Sequence, residues 1–93
     1  MNEIVREKDA FRLDVHGAYL RGTNLSNANL EFADFTNAIF RGANFKNANL
    51  TGTILRGADL TDAMNLTREQ LEAAIIDDRT RLPTLVSDLA PVK

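Results

Sequence analysis

A large apolar residue recurs at every fifth position in the middle of the chain, and this period restricts the folds that the chain can adopt. An α-helix turns by ~100° per residue, so residues five apart would scatter around it and form no apolar stripe. A flat strand alternates its two faces, so an odd step would place successive large residues on opposite faces. A chain that turns a corner in every repeat avoids both problems. The ten positions are Val15, Leu20, Leu25, Leu30, Phe35, Phe40, Phe45, Leu50, Leu55 and Leu60.

Two further columns keep the same period. The residue two places before each large one, from 18 to 58, is always alanine or threonine. The residue two places after it is glycine, asparagine or aspartate, except at Phe32. These three types accept a positive φ or bond locally in turns. We therefore expect the small and large residues to point inward from a short extended segment, and the third column to form the corners.

A longer period of twenty residues is also present. Residues 21–30 and 41–50 are identical at seven of ten places. Twenty residues are four repeats, which indicates four sides to each coil. We therefore predict an all-β solenoid of about two and a half coils, in which large residues twenty apart stack inside.

The pattern A-(N/D)-(L/F)-X-X, which runs from Ala18 to about Asp62, resembles the pentapeptide-repeat family. The resemblance covers about half of the chain directly. It implies a right-handed quadrilateral β-helix in which the small residue and the central leucine or phenylalanine are stacked inside. The motif is specific for this fold and says little about function.

The end of the repeats is readable as a helical cap. The period fails at Asn65, where a large apolar residue is due. Thr67 and Gln70 have the spacing of a capping box, and Leu66 with Leu71 has that of a hydrophobic staple. A short C-terminal α-helix over residues 68–76 would then place an apolar face of Leu71, Ala74 and Ile75 on the last coil. The predicted cap residues are Leu66, Thr67, Gln70, Leu71, Ala74 and Ile75.

These signals divide the chain into four parts. Residues 1–12 form an N-terminal lead-in and cap, 13–65 the pentapeptide-repeat β-helix, 66–82 the capping helix and turn, and 83–93 a tail. The tail carries Leu85, Val86 and Leu89. We expect it to pack on its own domain, and the alternative is an arm that grips a second subunit.

No residues in the sequence indicate catalysis. The chain has one histidine and no cysteine, so a histidine or thiolate metal cluster cannot form. His16 lies two residues from Asp14, and we interpret the two as a surface pair. Asparagine pairs one coil apart are expected to bond along the stack and at the corners; they are Asn24/Asn44, Asn27/Asn47 and Asn29/Asn49. We predict no catalytic, cofactor-binding or metal site, and therefore no enzyme.

The net charge of −2 gives no electrostatic reason to bind nucleic acid or an anionic membrane. The N-terminus lacks the apolar run of a signal peptide, and no stretch approaches the ~20 apolar residues of a membrane span. We therefore expect a cytoplasmic structural scaffold or protein-interaction module that self-associates, with a homodimer as the candidate assembly. No nucleic acid, membrane or small-molecule substrate is expected, and the sequence does not identify a protein partner.

The resemblance also implies an alternative function, that of a DNA mimic of the quinolone-resistance type that binds topoisomerases. Residues 17–63 carry four basic and four acidic side chains, which makes a poor copy of a polyanion with one charge per ~1.7 Å. The short repeat region disfavours this alternative as well. The charged residues are Arg21, Arg41, Lys46, Arg56, Glu31, Asp34, Asp59 and Asp62.

A candidate interaction surface comes from residues that break the pattern. Tyr19, Ile39 and Ile54 stand where asparagine or aspartate is usual, and Phe32 occupies a corner position. In coils of twenty residues these four side chains would border one outer face. A contiguous exposed apolar surface often marks an interface. The alternative is that the tail folds back and covers them.

Overall fold

The computed structural model describes residues 10–84, which wind in coils of twenty residues. Parallel β-bridges join residues twenty apart as far as Met64, whereas Ile54 and Ile75 are 21 apart and Asp59 and Arg81 are 22 apart. The bridges recur at every fifth residue, so each coil has four sides. Within residues 10–84, no β-strand is longer than a single bridge residue. The outward residues are Asp14, Asp34, Ile54 and Ile75 on the first side, Tyr19, Ile39, Asp59 and Arg81 on the second, Asn24, Asn44 and Met64 on the third, and Asn29 and Asn49 on the fourth.

Each corner is a tight turn. The N–H of the small residue donates to the carbonyl oxygen three residues earlier, as Ala18 does to Val15 at 3.0 Å. The residue before the small one has a positive φ, which the third residue of a type II turn requires. This conformation occurs at every fifth residue from Arg12 to Asp62. The series therefore begins one corner earlier than the glycine column that starts at Gly17.

The inside of the coils is filled by the two apolar columns. Phe40 is fully buried, and its ring lies edge-on to Phe35 and Phe45 with centroids 4.9 and 5.2 Å away. Burying one such side chain stabilises the fold by about 1.5–3 kcal/mol. Thr53 is a buried polar member of the small column, and its hydroxyl donates to the carbonyl oxygen of Leu30 at 2.7 Å. The core is therefore closely filled without an unpaired hydroxyl at Thr53.

The helix α1 spans Arg68–Ala73 and begins with the capping box of Thr67 and Gln70. The sequence predicted a helix that continues to Ile76, and this is wrong. Ala74 already has the extended dihedral angles φ −91° and ψ 172°. Helix α1 lies over the fourth side, because Gln70 bonds to the corner before that side and Ala73 to the corner after it.

Residues beyond α1 rejoin the coils. Ile75 pairs with Ile54, so the Ile75 side chain points outward and is 38% exposed, whereas Ile76 packs against the core. The expected apolar helix face of Leu71, Ala74 and Ile75 therefore does not form. The coil offers the Ile75 N–H and C=O partners at 2.8 and 2.7 Å, and β-branched residues favour extended backbone.

A second segment joins in the same way. Arg81 pairs with Asp59, and Leu82 packs against the core. The predicted division at residues 13–65 thus leaves out segments that belong to the coils. At the other end the N–H of Ala10, in the predicted lead-in, already donates to Asn29. Residues 1–9 and 85–93, with Leu85, Val86 and Leu89, lie outside the described residues. Across residues 10–84, the structure has no helix with the length and apolar character that a membrane crossing requires.

Candidate interaction surface

The titratable pair expected at the surface is formed. His16 Nδ1 lies 2.7 Å from Asp14 Oδ1, and both side chains are exposed. This hydrogen bond lowers the pKa of Asp14 and raises the pKa of His16. In the part of the chain that the structure describes, no group of three or more histidine, cysteine or acidic residues is placed to hold a metal ion.

The outward asparagine and aspartate side chains stabilise the turns through local hydrogen bonds. Asn24 Oδ1 accepts the backbone N–H of Ser26 at 3.0 Å, two residues further on. The same bond joins Asn29 to Glu31, Asp34 to Thr36, Asn44 to Lys46, Asn49 to Thr51 and Asp59 to Thr61. These are the local bonds by which asparagine and aspartate stabilise turns. The side-chain oxygens of Asn24 and Asn44 thus bond forward along the chain. Asn44 Oδ1 also accepts a hydrogen bond along the stack, from Asn65 Nδ2 one coil further on at 2.9 Å.

The four predicted surface residues lie on two neighbouring sides. Tyr19, 68% exposed, pairs with Ile39 on the second side, and Ile54 pairs with Ile75 on the first. Phe32 stands at the corner between the fourth side and the first. The corner with Asn37 and Gly57 separates Tyr19 and Ile39 from Phe32 and Ile54. The expectation that all four side chains border one outer face is therefore wrong.

Phe32 has an unusual conformation. Its φ is +60°, which glycine and asparagine adopt easily and a bulky residue does not, and its side chain is 47% exposed. The ring lies over Gly52 in the next coil. A Cβ atom on Gly52 would stand 2.5 Å from two ring carbons of Phe32. Gly52 is therefore required both by its own positive φ and by the ring above it.

Phe11 and Arg12, which the sequence did not single out, lie against Phe32. The rings of Phe11 and Phe32 meet edge-on with centroids 6.3 Å apart. The guanidinium of Arg12 lies 5.3 Å from each centroid, which is within cation–π range. We call Phe11, Arg12 and Phe32, over Gly52, the aromatic corner. The five-residue period could have identified Arg12 as a corner residue, because it stands five residues before Gly17.

A family model for pentapeptide repeats matches residues 16–52 and 28–74 of this chain, with eight copies of the repeat. The matched region covers more than half of the sequence. The chain belongs to the pentapeptide-repeat family. The resemblance seen in the sequence is thereby confirmed. Membership implies the right-handed quadrilateral β-helix that is typical of these repeats.

A solved structure of another pentapeptide repeat protein, Rfr23 from the cyanobacterium Cyanothece 51142, is similar to this one. The two are 19% identical, with 85% of this chain and 94% of that chain covered and a TM-score of 0.38. A likeness at this level carries no conclusion about function. No match was found among curated proteins. What distinguishes this pentapeptide-repeat protein must therefore be sought in residues that depart from the repeat, foremost Phe32.

Proposed function

We propose that this pentapeptide-repeat protein is a non-catalytic, cytoplasmic scaffold module that binds a protein surface through its aromatic corner. The stacked coils support this corner, and family membership implies that they form a right-handed quadrilateral β-helix. Cofactors, nucleic acid and membranes have no part in this function. The observation that carries the proposal is the strained and half-exposed Phe32.

The fold itself has no need of a phenylalanine at this corner. A left-handed conformation disfavours a residue with a Cβ by roughly 1–2 kcal/mol, whereas asparagine tolerates it. Asn27, Asn37 and Asn47 fill equivalent corners with φ of 59–64°. Because Phe32 is 47% exposed, it recovers only part of this loss by burial. Backbone strain of this kind clusters at functional sites.

The chemistry of the corner suits protein recognition. Aromatic residues and arginine are enriched at the interface positions that dominate binding. An isolated exposed phenylalanine would lack the charged group that Arg12 provides beside the Phe32 ring. Arg12 rests on both rings, so its side chain loses little conformational freedom on binding. The corner thus fits a partner that presents an apolar group to Phe32 and a carboxylate to Arg12.

The substitution Phe32→Asn tests the proposal because asparagine suits the corner backbone. We expect Phe32→Asn to fold with unchanged or higher thermal stability and to lose bound protein. Tyr19→Asn is the matched control, since it removes an exposed aromatic side chain from the second side. Proteins retained from native lysate by the immobilised wild type would be identified by mass spectrometry. Retention of the same proteins by wild type and Phe32→Asn would refute the proposal.

A further inference from the structure

The aromatic corner is part of a ridge that runs straight along the stack of coils. Corner residues of successive coils are joined by backbone hydrogen bonds. The N–H groups of Arg12, Phe32 and Gly52 donate to Glu31, Thr51 and Ala73 at 2.9, 3.0 and 2.8 Å. The ridge therefore begins at Arg12, passes Phe32 and Gly52, and ends at Ala73 of α1.

The two ends of this ridge carry opposite charges. Arg12 lies exposed at the first level. Glu72, which directly precedes Ala73, lies exposed at the last. With roughly 4.8 Å between paired segments, the three steps separate these levels by about 14 Å. Phe32 and Gly52 occupy the two levels between them.

We propose that the ridge binds a second copy of this chain, antiparallel to the first, about a two-fold axis between the levels of Phe32 and Gly52. The inference rests on the proposed function and names the partner. In a two-fold interface each surface meets itself, so the surface must be self-complementary. An antiparallel copy places its Glu72 opposite Arg12 and its Arg12 opposite Glu72. The two Phe32 rings then lie close together at the axis.

The parts of the ridge contribute differently. Exposed ion pairs add little to affinity, so the pairs of Arg12 with Glu72 mainly determine the direction of the second copy. Burial of the exposed part of Phe32 supplies most of the affinity. The ridge is narrow compared with a standard protein interface, so we expect a weak dimer with a dissociation constant in the micromolar range.

Sedimentation of the purified full chain over a range of micromolar concentrations measures the association. We expect Phe32→Asn to weaken the dimer at least about tenfold, as for a central interface residue. Arg12→Glu or Glu72→Arg alone should each weaken it roughly three- to tenfold, because each affects both symmetric pairs. The double variant Arg12→Glu/Glu72→Arg should recover the wild-type constant. Tyr19→Asn should leave it unchanged.

Cysteine cross-linking tests the antiparallel direction, and the chain contains no cysteine of its own. A mixture of Arg12→Cys and Glu72→Cys proteins should form a disulfide-linked heterodimer. Either variant alone should stay unlinked, since a disulfide requires Cα atoms within about 7 Å. Cross-linking of Arg12→Cys with itself instead would overturn the antiparallel arrangement.

A wild-type protein that stays monomeric at every concentration would overturn the dimer. That outcome is separate from the proposed function, which stands if Phe32→Asn still loses bound protein from lysate. An equal dimer in wild type and Phe32→Asn would also overturn the inference, because association would then use another surface. Thermal unfolding of each variant verifies that the substituted proteins remain folded.

Discussion

Replacing Gln70 by glutamate tests whether one side-chain amide fastens α1 to the coils. Gln70 Oε1 accepts the N–H of Thr67 at 2.8 Å and so caps the helix. Its Nε2 donates to the carbonyl oxygens of Phe45 and Ala48 at 2.8 and 3.0 Å. Ala28 is the residue equivalent to Ala48 in the preceding coil, and its carbonyl oxygen accepts a hydrogen bond from the backbone N–H of Asn49. For the carbonyl oxygen of Ala48, the side-chain amide of Gln70 takes the place of that backbone donor.

Glutamate keeps the oxygen that caps α1 and removes both donors. The carbonyl of the buried residue Ala48 would lose its Gln70 partner, which costs about 1–3 kcal/mol. A carboxylate oxygen would also face the two carbonyl oxygens of Phe45 and Ala48. We expect Gln70→Glu to lower the free energy of unfolding by about 2–4 kcal/mol near neutral pH. In a domain of this size the midpoint temperature would fall by roughly 10 °C or more.

The loss should depend on pH in a defined direction. The neighbouring carbonyl oxygens favour the protonated carboxyl, so its pKa in the folded state is raised above the ordinary value of about 4.3. The variant therefore regains stability as the pH falls through the raised pKa, because the protonated group can donate again. Urea unfolding from neutral to acidic pH measures this, with Glu69→Gln on the exposed part of α1 as control. A Gln70→Glu protein as stable as wild type near neutral pH would refute the fastening role of the amide.

Three further predictions concern the core, the surface pair and the disfavoured alternative function. Phe40→Ala should lower the free energy of unfolding by roughly 3–5 kcal/mol, because the side chain is fully buried between two rings; a loss below about 1 kcal/mol in urea unfolding would contradict this. An NMR titration should place the pKa of His16 above 6.5 and show it falling in Asp14→Asn. While Asp14 stays ionised, the stabilising contribution of the raised His16 pKa is complete below the unfolded pKa of His16 and is lost as the pH rises through its folded pKa. Purified protein should leave DNA supercoiling by gyrase unchanged, since the repeat surface is neutral; dose-dependent inhibition would speak for DNA mimicry.

The coiled architecture was predictable because each repeat is a local unit. A small residue, a large residue and a turn residue within five positions determine one side and one corner. Their repetition at twenty residues indicates the stacking, as the bridge from Tyr19 to Ile39 shows. Nothing in this inference depends on contacts between distant, unrelated segments.

The segment after α1 was predicted wrongly because its partners are distant. Leu71, Ala74 and Ile75 have helical spacing, and the sequence alone gives no competing signal. The competitors are the carbonyl of Thr53 and the N–H of Leu55, to which Ile75 bonds across the stack. Tertiary hydrogen bonds here override a weak local preference for helix.

The aromatic corner was found only in part, for a different reason. Phe32 stood out because it interrupts a column of turn residues. Arg12 did not, since arginine is no turn signal and the small and large columns do not extend back to it. Phe11 precedes Arg12 and lies outside all three columns of the repeat. Its contact with Phe32 joins one coil to the next.

The twenty-residue coil limits how this chain can change in length. Because corner follows corner at every fifth residue, an insertion of five residues before the helix would turn all later segments by one side. Helix α1 would then lie over another side, and Glu72 would leave the line of Arg12 and Phe32. An insertion of a whole coil keeps every residue on its side and only lengthens the stack. Relatives that preserve the geometry of this ridge should therefore differ from it by multiples of twenty residues.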